Sequence, residues 1–510
     1  MTSIIITLII VLHKIPLINI LGDKGVGYYS IALVIYLLLM SCISYGLPKA
    51  ISSLITTYSS KGQYNLVYET TKNALLFATL SGLFAAVLVF LSADVIADNI
   101  MSAGDSAQIL RGFAPCLIFI SILGVLHGVY AGIRAVSISK AAHRIEELCV
   151  AILTVLGAYL YSATGASIGF TCGVFIAFVF SAILFLKFRK KLIRMARKDG
   201  TKVSIKKKEM LILIIKTMLP FVITLVIYHL SNLIDYAVFN RIMNVQGHKE
   251  NSYIILLGMM NGKYEFFISL PLIIVNWFAA SKVPVLSKIA KEGNKRKIHN
   301  KISQSIRYTS LAVIPCTAFY IIYAKPLMNL LFTGINDTPA MLLRIGAISM
   351  VFYSLAAISS ATLNALEDWV SVSENAIISL IIQIISLLIM MIIFQWSIVA
   401  VVLSRIVFSA SLFILNEHIL RERTGYVMEQ KRSFTLPFTA TVIMSGISFV
   451  IYFVLELFIP DKIAVIIILF IAVPVYMIAL VYTGGITQRE MYRVPGGKYL
   501  APLCKKLHLN

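Results

Sequence analysis

The feature that most constrains this chain is a succession of apolar stretches, each of about 18–28 residues, separated by short polar runs. An α-helix rises about 1.5 Å per residue, so about 20 apolar residues cross the hydrocarbon core of a bilayer. The chain is 59% hydrophobic and only 13% charged, whereas soluble domains carry about 25% charged residues. The sequence therefore predicts an all-α, polytopic membrane protein.

The apolar stretches predict about fourteen transmembrane helices. Their approximate bounds are 3–20, 31–57, 74–93, 113–134, 146–162, 166–186, 211–240, 253–280, 305–323, 340–363, 374–394, 397–416, 435–457 and 463–483. We expect two six-helix lobes and two further helices. The predicted organisation is an N-terminal lobe (1–186), a basic cytoplasmic linker (187–210), a C-terminal lobe (211–416), a cytoplasmic loop (417–434), helices 13 and 14 (435–483) and a cytoplasmic tail (484–510).

A weak internal repeat supports two related lobes. The sequence VSIS at 136–139 and the sequence VSVS at 370–373 are 234 residues apart, and Pro48 and Pro284 are 236 residues apart. Six helices per repeat is an even number, so the halves would be parallel and related by an axis along the membrane normal. Chance agreement of two short matches is the alternative.

The formal net charge of +22 is concentrated in loops. Residues 187–208 contain eleven basic side chains against Asp199, and residues 282–301 contain seven against Glu292. Because basic loops stay in the cytoplasm, both termini are expected to be cytoplasmic. Such loops also attract anionic lipids, which explains the charge without nucleic acid as a partner.

Motifs of soluble enzymes are missing from the sequence. The chain contains no P-loop or HExxH pattern and no CxxC pair, so we expect neither an enzyme nor a metal site, and no cofactor. The glycine-rich segment 22–27 joins two apolar stretches rather than a strand and a helix, so it is interpreted as a tight extracellular turn.

Ionisable side chains inside membrane helices are costly and usually face a cavity or a partner. The candidates for a cationic, substrate-binding cavity are Lys14, Lys49, Lys263 and Arg405, with Glu265 as the one comparable acid. A phosphate or diphosphate head would suit such a cavity. The alternative is that Lys14 and Lys49 extend to the interfaces while Lys263 and Glu265 contact neighbouring side chains.

A polar stripe lies in the predicted seventh helix. His229, Asn232 and Tyr236 are spaced by three and four residues and share one helix face, with Asp235 at its edge. The stripe could line the cavity or gate it. A hydrogen-bonded seam between helices is the alternative.

Four segments resemble one known family. They are HKIPLINILGDKGVGYYSIALVIY (13–36), SYGLPKAISSL (44–54), AAHRIEELCV (141–150) and SLPLIIVNWFAASKVPVLS (269–287). They are similar to the polysaccharide-export and lipid II flippase branch of the multidrug/oligosaccharidyl-lipid/polysaccharide exporter (MOP) superfamily, in particular to its stage V sporulation protein B and YtgP-type members.

The resemblance implies a V-shaped, MATE-like arrangement of two six-helix lobes around a cationic cavity that opens alternately to each side. In such proteins the cavity is expected to take the diphosphate-sugar head, and a groove beside helices 13 and 14 the polyprenyl tail. Lys14 and Lys49 match positions of cavity bases in relatives. Asp235 and Arg241 match a common Asp-to-Arg stretch in helix 7.

Two positions depart from the family pattern. Val150 stands where relatives often carry an arginine, and the arginine that lipid II flippases carry shortly before the helix 8 proline has no counterpart before Pro271. Lys263 is the nearest base. These departures weaken the assignment of lipid II as the cargo more than the assignment of the family.

The favoured hypothesis is a monomeric flippase in a bacterial plasma membrane that moves a polyprenyl-diphosphate-linked sugar to the outer leaflet. One alternative is a cation-coupled multidrug exporter of the same superfamily, in which Glu265 and Asp235 would exchange the coupling cation. Another is a membrane scaffold that transports nothing and contains no polar cavity.

Overall fold

The computed structural model describes residues 11–197, 199, 205–292, 294–334 and 336–486. In these ranges every regular element is a helix. The α-helices are α1 (Lys14–Met40), α2 (Leu47–Ser60), α3 (Tyr64–Val95), α4 (Ser106–Phe113), α5 (Cys116–Gly132), α6 (Val136–Arg197), α7 (Lys207–Val245), α8 (Glu250–Gly258), α9 (Glu265–Lys291), α10 (Lys295–Leu331), α11 (Asp337–Gly346), α12 (Ile348–Ala365), α13 (Trp369–Ile392), α14 (Ser397–Thr424), α15 (Leu436–Glu456) and α16 (Asp461–Tyr482).

Twelve helical segments in the described part of the chain are long and apolar enough to cross a membrane. Two of them turn back. The 47-residue segment Lys14–Ser60 turns at Gly22, and the 61-residue segment Ser137–Arg197 turns at Tyr161 and Ser162. A straight helix of 61 residues would measure about 90 Å, roughly three times the hydrocarbon thickness. With Ser137–Arg197 counted as two passes, the described residues hold thirteen, and the break at Gly22 follows the predicted first span, 3–20, of which residues 3–10 lie outside the described part.

Large apolar side chains cover the outside of the helices. Phe84 is 70% exposed, Leu91 74%, Phe458 80% and Phe470 74%. Water would not tolerate apolar surface of this extent, but lipid tails do. The prediction of an all-α polytopic membrane protein is confirmed.

The glycine-rich turn is shorter than the sequence predicted. Only Gly22 leaves the helical conformation, with φ 63° and ψ 174°, and α1 continues through Gly25 and Gly27. A Cβ on Gly27 would lie 2.2 Å from the carbonyl oxygen of Ile254. These later glycines therefore let two helices touch rather than ending one. The predicted span 31–57 was wrong at its start, because it assigned Gly25 and Gly27 to a loop.

Small residues also bring α5 against α2. A Cβ on Gly128 would lie 2.8 Å from Ile51 Cβ and 2.9 Å from Pro48 O, and one on Gly132 would lie 2.7 Å from Ile55 Cβ. Glycines four residues apart allow helix backbones to approach closely in membranes, where contact and hydrogen bonds rather than water drive association.

Buried amides connect three helices near the end of the chain. Asn375 of α13 donates from Nδ2 to Asn416 Oδ1 of α14 over 3.0 Å, and Asn416 donates to the hydroxyls of Ser359 and Ser360 of α12. Asp368 accepts the backbone N–H of Ser371 and caps the first turn of α13. Such interhelical bonds satisfy polar groups that lipid cannot.

The chain divides into two compact units, Met1–Gly262 and Lys263–Asn510. The division falls in a π-helical turn, Met259–Tyr264, between α8 and α9. The two repeated motifs occupy equivalent places, since VSIS opens α6 and VSVS lies in the first turn of α13. The six-helix lobes and the linker at 187–210 remain predictions. Most of the predicted tail, 487–510, lies outside the described residues.

Candidate functional site

Lys49 lies on α2 just after a break in the helical path. The π-helical turn Ser41–Tyr45 precedes Gly46 and Pro48, and Pro48 occupies the first turn of α2. The Lys49 ammonium lies 5.4 Å from the ring centroid of Tyr45 and 5.1 Å from that of Phe221. Two aromatic faces stabilise the cation while its side chain remains exposed.

A cavity of about 750 Å³ adjoins Lys49 in the first unit. Its wall combines Lys49 and His127 with a group of hydroxyl side chains, namely Ser52, Ser53, Thr56, Thr57, Ser60 and Ser139. Phosphate oxygens accept hydrogen bonds from ammonium and hydroxyl groups of this kind. The cavity can therefore hold an anionic, oxygen-rich group.

The other predicted bases lie elsewhere. Lys14 is exposed near the start of α1 and does not line this cavity. Lys263 is 3% exposed in the turn between α8 and α9, at the start of the second unit. Within the first unit, the described structure thus brings only one predicted base, Lys49, to this cavity.

Arg405 and Glu265 come together in the second unit. Arg405 Nη1 donates to Glu265 Oε1 in an ion pair between α14 and α9. The Arg405 side chain is 4% exposed and that of Glu265 33%. A buried guanidinium requires a nearby anion. Glu265 is that anion, so the charge of Arg405 is balanced within the protein.

The polar stripe of α7 divides among different environments. Asp235 is fully buried, while His229 and Asn232 are half-buried. Asn232 donates to the carbonyl oxygen of Tyr228 within its own helix, and the Tyr236 hydroxyl donates to Asn261 Oδ1 over 2.5 Å. The bond from Tyr236 is a seam between helices, the alternative that the sequence left open.

Further polar contacts join α7 and α8 to the N-terminal helices of the same unit. Asn240 donates to the carbonyl oxygen of Met101 over 2.9 Å, and the Tyr253 hydroxyl to that of Ser102 over 2.6 Å. Tyr28 of α1 donates to Glu250 Oε1 of α8 over 2.8 Å. The residues of α7 and α8 therefore pack with the first helices.

A second, apolar cavity of about 610 Å³ lies in the second unit. Ile314, Ile321 and Phe352 form part of its wall on α10 and α12, and Phe438 forms another part at the start of α15. Helix α15 corresponds to the predicted helix 13. The cavity suits a hydrocarbon chain, because its lining is mainly apolar and holds no charged side chain, its polar groups being the hydroxyls of Thr317, Thr435 and Thr441.

Sequence reasoning missed a cluster of His127, His143 and Glu146, in which each residue offers one ligand atom within 4.8 Å of the others. Two members are three residues apart, which is a detectable spacing on a helix face. The third lies on another helix, so only the fold could add it.

Comparisons with known proteins agree with this architecture. The model of the lipid II flippase MurJ family matches residues 106–474, and the MatE family model matches residues 1–160. Lipid II flippase MurJ of Bacillus subtilis (strain 168) is 21% identical over 394 residues, covering 73% of this chain and 72% of that protein. Stage V sporulation protein B of the same organism is 21% identical over 383 residues, with 73% and 72% covered.

Solved structures show the same fold. A multidrug resistance MATE family transporter in its inward-facing conformation aligns with a TM-score of 0.71 at 14% identity, covering 82% of this chain and 94% of that one. Lipid II flippase MurJ in an inward closed conformation aligns with a TM-score of 0.64 at 16% identity, covering 93% and 98%. Since the MurJ family model covers most of the sequence, the chain belongs to the lipid II flippase MurJ family of the MOP superfamily.

Proposed function

We propose that this protein is a flippase that moves a polyprenyl-diphosphate-linked sugar from the inner to the outer leaflet of a bacterial cell membrane. The observation that carries the proposal is the match of the MurJ family model to residues 106–474. The polar cavity beside Lys49 adds a place where a phosphorylated head can bind.

The membrane potential can drive this transport. A diphosphate head carries roughly two negative charges, and an inside-negative potential contributes about 2.3 kcal/mol per charge per 100 mV when the head moves outward. A nucleotide-binding site in this chain is therefore unnecessary.

The head is bound by cations that replace part of its hydration. Lys49 and the hydroxyl groups around it form one part of the site, and Lys14 and Lys263 are proposed to contribute in other stages of transport. Arg405 stays in the proposal as a cation whose charge Glu265 balances. His229, Asn232 and Asp235 are proposed to line or gate the route.

The tail remains in an apolar environment throughout. The cavity formed by α10, α12 and α15 is lined mainly by aliphatic and aromatic side chains. Because lipid is as apolar as this cavity, van der Waals contacts rather than the hydrophobic effect would hold the tail there. An isoprenoid chain in this groove would keep the cargo bound while its head crosses.

Alternating access requires one side to close while the other opens. Tyr28 and Glu250, together with the contact of Gly27 and Ile254, join the start of α1 to α8. We propose that these contacts close the external side. In a cysteine-depleted Tyr28→Cys/Glu250→Cys variant, a short bis-methanethiosulfonate crosslinker, which joins the two thiols through disulfides, should stop transport, and a reducing agent that cleaves those disulfides should restore it. Unchanged transport after complete crosslinking would exclude this closure.

Several further features belong to the proposal. The protein would act as a monomer, both termini would face the cytoplasm, and the basic loops would contact anionic lipids. In a cysteine-depleted protein, a thiol placed at Lys61 should react only from the inside and one at Asp105 only from the outside. The reverse pattern would invert the topology.

Transport can be measured in proteoliposomes containing fluorescent lipid II or another polyprenyl-diphosphate sugar, with and without an imposed potential. The variants Lys49→Ala, Lys14→Ala and Lys263→Ala should abolish flipping and retain the folded state. Lys61→Ala is the matched control, because Lys61 is an exposed lysine at the end of the same helix.

Full transport by all three variants would refute the anion site. Efflux of a cationic dye driven by a proton or sodium gradient, without flipping of the lipid, would favour the multidrug exporter.

A further inference from the structure

Three side chains of metal-binding type converge where α5 ends and α6 begins. His127 lies on α5, and His143 and Glu146 lie on α6. Glu146 Oε2 is 3.4 Å from His143 Nδ1 and 4.0 Å from His127 Nε2. The two imidazole rings meet edge to face, with their centroids 5.7 Å apart.

The backbone holds this arrangement in place. His143 and Glu146 are three residues apart, so both project from one face of α6. The turn between α5 and α6 is tight, with Arg134 at φ 63°, and the Ser139 hydroxyl donates to the carbonyl oxygen of His127 over 3.5 Å. The helical hairpin of α5 and α6 thus places His127 beside His143 and Glu146.

The ring nitrogen Nε2 of His127 is buried and could accept a metal ion as its partner. Its side chain is 14% exposed, and Nε2 is buried without a hydrogen-bond partner. Leaving such a polar atom without a partner is unfavourable. Glu146, also 14% exposed, points an oxygen toward the same space.

A fourth residue is placed to orient one of the ligands. Glu147 Oε1 lies 3.4 Å from His143 Nε2, whereas Glu146 contacts the other ring nitrogen, Nδ1. In metal sites the second nitrogen of a histidine ligand usually donates to a carboxylate in this way, which fixes the tautomer and the orientation of the ring.

We propose that His127, His143 and Glu146 bind a Zn²⁺ ion or a similar first-row divalent ion. Two imidazoles and one carboxylate are a donor set that suits such ions. Metal–ligand bonds of about 2.0–2.1 Å in tetrahedral geometry place ligand atoms about 3.4 Å apart. The His143–Glu146 separation already has this value, the His127–Glu146 separation exceeds it by about half an ångström, and all three ligand atoms lie within 4.8 Å of one another.

Three protein ligands leave a fourth position open. His127 also lines the cavity beside Lys49, so a water molecule or an anionic oxygen in that cavity could complete the coordination. The ion would couple α5 to α6 at the wall of the cavity. Metal binding itself does not depend on the proposed transport.

The test is direct metal binding by the full chain, purified with a tag that contains no histidine and treated with a chelator. Zn²⁺ is titrated in competition with a chromophoric indicator, and Co²⁺ replaces it for visible absorption spectra. We expect one equivalent per chain, a tetrahedral Co²⁺ spectrum, and a higher melting temperature with Zn²⁺, because a ligand of the native state stabilises it.

Four variants define the site. His143→Ala and Glu146→Ala should weaken Zn²⁺ binding by about 100-fold or more, and Glu147→Gln by about 10-fold to 100-fold as an outer partner. His143 is 60% exposed, so its removal carries little risk for folding. His418→Ala is the matched control, since His418 and Glu422 form a similar pair on one helix, 3.3 Å apart.

Binding that is equally tight in wild type, His143→Ala and Glu146→Ala would overturn the proposal, as would the absence of a bound equivalent in wild type. A loss of binding in His418→Ala alone would place the ion elsewhere.

Discussion

Replacing Glu265 by glutamine should destabilise the protein more than replacing its partner Arg405 by methionine. The two side chains form an ion pair, but they are buried to different degrees, 4% exposure for Arg405 and 33% for Glu265. Because the two side chains are buried to different degrees, the two single variants should lose different amounts of unfolding free energy. Each loss can be estimated.

Removing one partner of a buried pair costs about 3–5 kcal/mol, because the remaining charge stays buried without compensation. Glu265→Gln leaves the buried Arg405 guanidinium in that condition, so we expect about 3 kcal/mol. Arg405→Met leaves Glu265, whose side chain is only partly buried, so we expect a smaller cost of about 1–2 kcal/mol. The double variant should lie within about 1 kcal/mol of wild type, because a packed apolar replacement of a buried pair is often neutral.

The assay is equilibrium unfolding in mixed detergent micelles, followed by circular dichroism at constant lipid and protein concentration. A double-mutant cycle then gives the coupling free energy between the two positions. If Arg405→Met costs as much as Glu265→Gln, or if the double variant is no more stable than Glu265→Gln, the reasoning is wrong. Flipping by the double variant adds a functional result. Restored stability without restored flipping would show that Arg405 or Glu265 also acts in transport itself.

Three further predictions concern packing and hydrogen bonds. Gly128→Ala should lower stability by about 1–3 kcal/mol through overpacking. The control Gly446→Ala, whose Cβ would meet nothing within 4 Å, should be neutral or stabilising. Melting curves in detergent compare the two variants, and an equal loss of stability in both would contradict the close approach of α2 and α5. Asp368→Ala should cost about 1 kcal/mol as a lost helix cap, and Asp368→Asn should recover most of it; if asparagine fails to do so in unfolding experiments, the ion pair with Arg423 matters more than the cap. Tyr236→Phe should cost about 1 kcal/mol for its lost hydrogen bond, and an unchanged unfolding free energy would mean that Asn261 finds another donor.

Much of the fold could be predicted from the sequence, because the apolar runs that form membrane helices are a local property of the chain. A membrane span can be recognised from about 20 consecutive apolar residues, without knowledge of the rest of the chain. Lipid then requires that span to be helical. The turn at 162–165 between two spans was predicted from four small or polar residues, and the structure bends at Tyr161 and Ser162. The repeat of VSIS and VSVS also marks equivalent helix starts.

The glycine segment 22–27 shows where local reasoning ends. Three glycines in six residues are typical of a loop, but α1 runs through two of them. Gly27 meets the backbone of Ile254, more than two hundred residues away in the chain. The sequence reveals that a residue is small, but only the fold reveals what lies against it.

The candidate site divides in the same way. The amino-acid sequence by itself determined that the chain spans a membrane, and it predicted which basic and acidic residues lie at depth. Tertiary structure alone decided that Arg405 faces Glu265 on another helix, that Lys49 lies beside a hydroxyl-lined cavity, and that His127 meets His143 and Glu146. Helix formation follows from short-range periodicity and solvent, whereas the partner of a buried charge depends on which helices pack together, and that is a property of the whole chain.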